Sequence, residues 1–165
     1  MEIVDSIYDI PTDPAVYVMY GGKRQLYVAY VGIGGNLKDR LTQHFIRQDS
    51  SVTTGASAVT LNIELIKEVR WWTHPDFNQK TKREAAELVA FDIFNPALKS
   101  RGGISKKARD KYKDDKFRGT MRKIFEKAPT GKYIIPDLKK ALKKIQQLEE
   151  RIIDIEKIVF KDNND

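Results

Sequence analysis

Two stretches near the N-terminus set phenols at short intervals: Tyr17 and Tyr20 in PAVYVMY (14–20), Tyr27 and Tyr30 in LYVAYVG (26–32). Farther along, Arg40 and His44 stand four residues apart, and Glu84 and Glu87 three apart. On a helix either spacing puts both side chains on one face. Phenol, imidazole and carboxylate can hold or move a proton, and a guanidinium carries a permanent positive fork. Each residue also has an ordinary role. Strand tyrosines pack with their hydroxyls at the rim, a helical arginine is a surface charge, and Glu84 serves a helix N-terminus. Taken together the set is less ordinary, because four side-chain chemistries recur within 75 residues.

The elements that must position these groups follow from the hydrophobic pattern. Residues 14–20 and 26–32 alternate and are rich in Val and Tyr, so they read as strands joined through Gly21-Gly22, which tolerate a tight turn. Asn36 is a helix N-cap, and Leu37, Leu41 and Phe45 repeat every fourth residue, predicting a helix to about Arg47. QDSSVTTGASA (48–58) reads as an exposed loop. Alternation through Val59, Leu61, Ile63 and Leu65 predicts a third strand over 59–69, ended by Arg70–Pro75. Residues 80–94 return to helical spacing and stop before Asn95-Pro96. A helix around 105–127 is expected next. From Leu138 through Ala141, Ile145, Leu148, Ile152, Ile155 and Val159 the spacing alternates between three and four, a heptad seam. That seam suits either a parallel two-stranded coil or a helix docked on its own domain. The expected fold is of the α/β (α+β) class: a small three-stranded antiparallel sheet flanked by helices, with a helical C-terminal extension.

Composition narrows the function classes. The chain has 165 residues, long enough to hide about 70% of its unfolded surface without a staple. It has no cysteine, which excludes disulfides and thiolate chemistry and leans towards a reducing, cytoplasmic setting. Two histidines, His44 and His74, cannot make a multi-histidine metal site. His74, beside Trp71-Trp72 and Pro75, reads as a packing residue, while the tryptophan pair would stack bases if exposed. No apolar run is long enough for a membrane span, and the acidic start does not read as a secretory signal. The glycine pairs lack the Gly-Lys-Ser/Thr ending of a phosphate-binding Walker loop. The net charge of +7 is unevenly spread: residues 97–144 hold 17 basic and 5 acidic side chains. A block of that kind is the footprint of a polyanion partner, or else a solvated face.

The order of the motifs is specific. Ala15-Val16-Tyr17, then Tyr30-Val31-Gly32, then Asn36-Leu37, Arg40-Leu41 and His44, and finally Glu87 nine residues before Pro96, together resemble the GIY-YIG nuclease family over residues 11–100. The first glycine of the family pattern is Ala15 here. The lysine that often follows the second tripeptide is Ile33, so Lys23, Arg24 or Lys38 would have to supply that charge. The resemblance implies a metal-dependent DNA endonuclease. Glu87 would hold one hydrated Mg²⁺ (or Mn²⁺), Arg40 would face the non-bridging phosphate oxygens, and Tyr17 would align or deprotonate the attacking water. Tyr30 would hydrogen-bond that water or the phosphate, and His44 would shuttle a proton or orient Tyr17.

On this reading residues 1–100 are a GIY-YIG-like nuclease core, 101–135 a basic helical extension, and 136–160 an amphipathic, coiled-coil-like helix. Lys23, Arg24, Lys38, Lys99, Arg101, Lys106, Lys107 and Arg109 are the expected nucleic-acid contacts, with duplex DNA as partner. A homodimer through residues 138–159 would place two sites on one duplex. Two other readings stand beside it: a catalytically weak nucleic-acid-binding module that keeps the fold, and an interaction protein in which the seam matters and the charge is incidental.

Overall fold

The computed structural model describes residues 1–22, 24–54, 60–98, 103–136, 145–153 and 155. The chain forms two compact units, Met1–Ile135 and Pro136–Asp165. In the first, five strands make one sheet: β1 (Glu2–Val4), β2 (Ala15–Gly21), β3 (Tyr27–Gly34), β4 (Ile66–Thr73) and β5 (Gly131–Ile134). Their order is β1-β5-β4-β2-β3, with β1 parallel to β5 and every other pair antiparallel. The α+β class is as expected, but the three-stranded antiparallel sheet is not. The expected trio β4-β2-β3 is extended at one edge by β5 and β1, two strands of only four and three residues, too short to show an alternation of their own.

Alternation along β2 and β3 sends side chains to two cores. Ala15, Tyr17, Met19 and Tyr30 face one core, joined by Ala29, the extra residue where the β2–β3 register shifts between the Met19–Tyr30 and Tyr20–Val28 pairs, and by Leu37 and Leu41 from helix α1 (Leu37–Thr42). Val16, Val18 and Val31 face the other, beneath helix α2 (Lys80–Phe94). Ala85, Ala86 and Ala90 are fully buried, and their small side chains let α2 lie close to the sheet. Helix α2 ends at Asn95, whose positive φ of 44° turns the chain, and Pro96 cannot continue a helix. Beyond it the Ala97 and Leu98 amides donate to the Val28 and Ala29 carbonyls at 2.9 and 3.0 Å, covering the open edge of β3.

Three expectations need correction. The third strand runs over Ile66–Thr73 rather than 59–69: a short 3-10 turn, Ile63–Leu65, capped by the Asn62 side chain, occupies residues that alternate by coincidence. Trp71 and Trp72 therefore lie inside the sheet, 0% and 4% exposed, and stack no bases. The helix expected around 105–127 is two, α3 (Lys106–Tyr112) and α4 (Asp115–Phe125). Asp114 separates them because its carboxylate accepts the Phe117 N–H at 3.1 Å and starts a new helix. Residues read as a basic extension thus join the first unit, Ala108, Phe117, Met121 and Phe125 packing in the α2-side core and β5 completing the sheet.

In the second unit, residues 145–153 are helical, and Ile145, Leu148, Ile152 and Ile155 are each about half exposed. The remainder of the heptad seam lies outside the described residues. Among the described residues no helix is long and apolar enough to cross a membrane.

Candidate functional site

Tyr17 sits in mid-strand between two neighbours, opposite Gly32 of β3 and Trp71 of β4. It is fully buried, and Tyr30 is 6% exposed. Their rings lie 6.2 Å apart on the α1 side of the sheet. The close approach depends on Gly32. A Cβ there would fall 2.5 Å from the Tyr17 hydroxyl oxygen and 2.7 Å from Cε1 of Tyr30. Gly32→Ala is therefore expected to splay both phenols and cost about 1–3 kcal/mol, measured by urea denaturation. An unchanged midpoint would show that the rings can yield without loss.

The helix that faces the phenols changes pitch. Asn36 caps α1 by accepting the Asp39 N–H at 2.9 Å, and after Thr42 the chain widens into a π turn, Gln43–Arg47. Such wide turns re-aim side chains and gather at functional sites. This one swings His44 inward to zero exposure, its ring 5.9 Å from each of the two phenol rings. Tyr17 Oη lies 2.7 Å from His44 Nε2, and Ser50 Oγ lies 2.9 Å from Nδ1. One turn earlier, Arg40 is fixed by donating from Nη1 to Gln43 Oε1 at 2.8 Å. Its charge interacts with both phenolic oxygens.

Glu87 comes from α2, on the opposite face of the sheet, yet stands near enough to interact with Tyr17, Tyr30 and Arg40. Burial and the neighbouring Glu84 push its carboxyl up to about 7, against the pull of Arg40. Glu84 itself is committed elsewhere. Its Oε2 accepts from Ser105 Oγ at 2.6 Å and from the Ser105 N–H at 3.3 Å, tying α2 to the start of α3.

The other shifts describe a dry cluster. Burial, with Tyr30 and Glu87 adding to it, raises Tyr17 well above the ordinary phenol value despite Arg40. Burial and Glu87 raise Tyr30 likewise. Burial and Arg40 press His44 down to about 3, so the imidazole is neutral at every working pH. Burial works against the Arg40 charge, but the two phenols outweigh it and hold the guanidinium above its ordinary value.

Tyr17, Tyr30, Arg40 and His44 are thus gathered at one place, with Glu87 in electrostatic reach. Among the described residues no group of three or more His, Asp or Glu side chains could hold a metal ion. Among the described residues Glu87 is the carboxylate at the cluster, and no described side chain donates a hydrogen bond to it. A half-buried carboxyl pushed up to about 7, with Arg40 offsetting its charge, fits a hydrated divalent cation, which takes one or two carboxylates and keeps several waters.

The remaining candidates lie away from this cluster or outside the described residues. Ile33 packs into the α2-side core, turned to the opposite face from Tyr30. Tyr20 also faces that side, under the Arg70 guanidinium at 4.4 Å, and Tyr27 is exposed. Arg24 is exposed in the bend between β2 and β3, and Lys38 is half-buried in the first turn of α1. Lys106, Lys107 and Arg109 are exposed on α3. Lys23, Lys99 and Arg101 lie outside the described residues. His74 accepts the Asp76 N–H at 3.2 Å and packs edge-on against Phe77, a capping and packing residue.

Sequence reasoning missed Ser50 as part of the site, and it named Gly32 only as the end of the second tripeptide, not as the residue that makes room for both phenols. Ser50 fell in a polar run read as exposed, yet it and Val52 are each 3% exposed. Comparison with known protein families, curated proteins and solved structures finds no match.

Proposed function

We propose that this chain is a metal-dependent DNA endonuclease of the GIY-YIG type, hydrolysing phosphodiester bonds with a single divalent metal. The observation that carries the reading is the convergence of Tyr17, Tyr30, Arg40 and His44 from two strands and a π-widened helix, with Glu87 reaching the same place from the far face. Tyr17 accepts a proton from the attacking water while its own hydroxyl is held by His44. Because burial keeps the phenol protonated, it acts by proton exchange rather than as a standing phenolate. Tyr30 orients the water or a phosphate oxygen. Arg40, permanently charged, faces the non-bridging oxygens as negative charge builds on them. Glu87 would hold the Mg²⁺ or Mn²⁺, which when bound supplies Lewis-acid charge at the phosphate.

Exposed cations on α3 favour a DNA partner, because each lysine or arginine at a phosphate releases a counterion. The half-exposed apolar positions Ile145, Leu148, Ile152 and Ile155 keep heptad spacing and favour a homodimer through residues 138–159.

The test is supercoiled plasmid incubated with the full chain in Mg²⁺ or Mn²⁺ and in EDTA. Metal-dependent nicking or linearisation is expected. A plasmid left intact in every metal, with DNA binding that weakens steeply with salt, would favour the binding module instead. The specific observation behind that second reading is Ile33, half-buried on the face away from Tyr30, where it cannot hand the phosphate a charge.

A further inference from the structure

The hydrogen bonds around His44 form a chain whose direction can be worked out proton by proton. The Ser50 carbonyl can only accept, and Thr53 Oγ1 lies 3.0 Å from it and 2.8 Å from Ser50 Oγ. Each of the four contacts carries a proton in one arrangement: Thr53 O–H donates to the Ser50 carbonyl, Ser50 O–H to Thr53 Oγ1, His44 Nδ1–H to Ser50 Oγ, and Tyr17 O–H to His44 Nε2. Reversing the direction takes the Thr53 proton from the Ser50 carbonyl, which keeps the Thr53 and Thr54 amides at 3.0 and 2.9 Å and the Thr54 hydroxyl at 3.0 Å, so the forward direction is the one that leaves none of the four contacts without a proton.

The far end fits the same direction: Tyr30 also interacts with the Tyr17 hydroxyl, but His44 Nε2 stands at direct hydrogen-bond distance from it. Tyr17 is fully buried, and its cationic neighbour, Arg40, can only donate, so the phenol proton needs an acceptor. His44 Nε2 is placed for it at 2.7 Å.

We infer that Ser50, backed by Thr53, is a positioning residue that fixes His44 as the Nδ1–H tautomer, leaving Nε2 bare to take the Tyr17 proton. The chemical consequence rests on the nuclease reading; the tautomer does not. In that reaction the water oxygen bonds to phosphorus as its proton passes to Tyr17 Oη. The Tyr17 proton passes to His44 Nε2, and Ser50 keeps the Nδ1–H throughout. The bond to the leaving oxygen breaks, that oxygen takes a proton from solvent, and His44 returns its extra proton to solvent. With the opposite tautomer, Nε2–H would point at Tyr17 and the phenol could not release its proton there.

Nitrogen-15 labelling of histidine in the full chain reads the tautomer directly, with His74→Gln assigning the two rings. In the wild type the His44 proton is expected on Nδ1. Ser50→Ala should move the tautomer ratio at least tenfold towards Nε2–H, while Ser50→Thr, which keeps a hydroxyl, restores it. Should Ser50→Ala fail to fold, the near-isosteric Thr53→Val frees the Ser50 hydroxyl to donate to Nδ1 and should move the ratio the same way. A wild-type proton on Nε2, or a ratio unmoved in the folded variant, overturns the assignment. In plasmid cleavage Ser50→Ala should lower kcat roughly 10²-fold at unchanged KM, with recovery in Ser50→Thr. A ratio that moves while kcat stays within twofold would retain the tautomer and overturn its catalytic consequence. An inactive wild type with the Nδ1–H tautomer would count against the nuclease reading alone.

Discussion

Replacing Arg40 by alanine is expected to slow metal-dependent plasmid cleavage about 10³-fold, the upper range for removing one preorganised donor from a developing oxyanion. The size follows from how many groups this one guanidinium governs. Its charge opposes the upward shifts of Tyr17, Tyr30 and Glu87 and helps press His44 down to about 3. Without it both phenols become harder to ionise and Glu87 holds its proton above pH 7, which also weakens any metal bound there. Arg40→Lys keeps the charge but lacks the planar fork that Nη1 uses to reach Gln43, so only partial recovery is expected. Single-turnover cleavage across pH 6–9 checks this. A loss below tenfold in Arg40→Ala would remove Arg40 from the chemistry and leave it a structural brace between α1 and the phenols.

The sequence made some of this arrangement readable because local physics determined it. Asn36 as an N-cap, the fourfold spacing of Leu37 and Leu41, and the stop at Asn95-Pro96 act within a few residues; α2 runs as the pattern implies, and α1 does so to Thr42, where the π turn takes over from the helix expected to reach Arg47. The meeting of Tyr17, Arg40 and His44 was legible only through motif order. What escaped was decided by tertiary packing. Gly131 exists for Trp71: a Cβ there would lie 2.0 Å from Cζ2 of the indole, so β5 can dock only with a glycine opposite that ring. Nothing near residue 131 announces this. Ser50 was hidden in the same way, because its polar surroundings read as solvent-facing while a neutral imidazole drew it inward. The π turn that buries His44 is also silent in a pattern scored at 3.6 residues per turn.

Glu87→Gln is expected to stabilise the metal-free protein at pH 8 by about 2–3 kcal/mol and to uncover a sensitivity to mild acid that the wild type lacks. Glu87 ionises near its ordinary 4.5 in the unfolded chain but at about 7 when folded. Between those values the folded state holds a proton that the unfolded state has lost, so stability falls as pH rises, by about 1.4 kcal/mol per unit. Above pH 7 the full penalty of a half-buried carboxylate beside Glu84 remains. His44 works in the opposite sense. It binds a proton near 6.5 when unfolded and only near 3 when folded, so its contribution is complete above pH 6.5 and drains away as pH falls. Between about pH 4.5 and 6.5 the two slopes oppose each other, and the wild type should be nearly flat there. The glutamine variant removes one slope and uncovers the other, so its stability should fall by about 1.4 kcal/mol per unit below pH 6.5. Urea denaturation at pH 5, 6, 7 and 8 reads both effects. Millimolar Mg²⁺ should raise wild-type stability more at pH 8 than at pH 6, because the cation competes with a proton for one carboxylate, and should do nothing for the variant. A variant that follows the wild-type profile with pH would mean Glu87 is solvated rather than buried beside Glu84. A variant that still gains from Mg²⁺ would place the metal elsewhere.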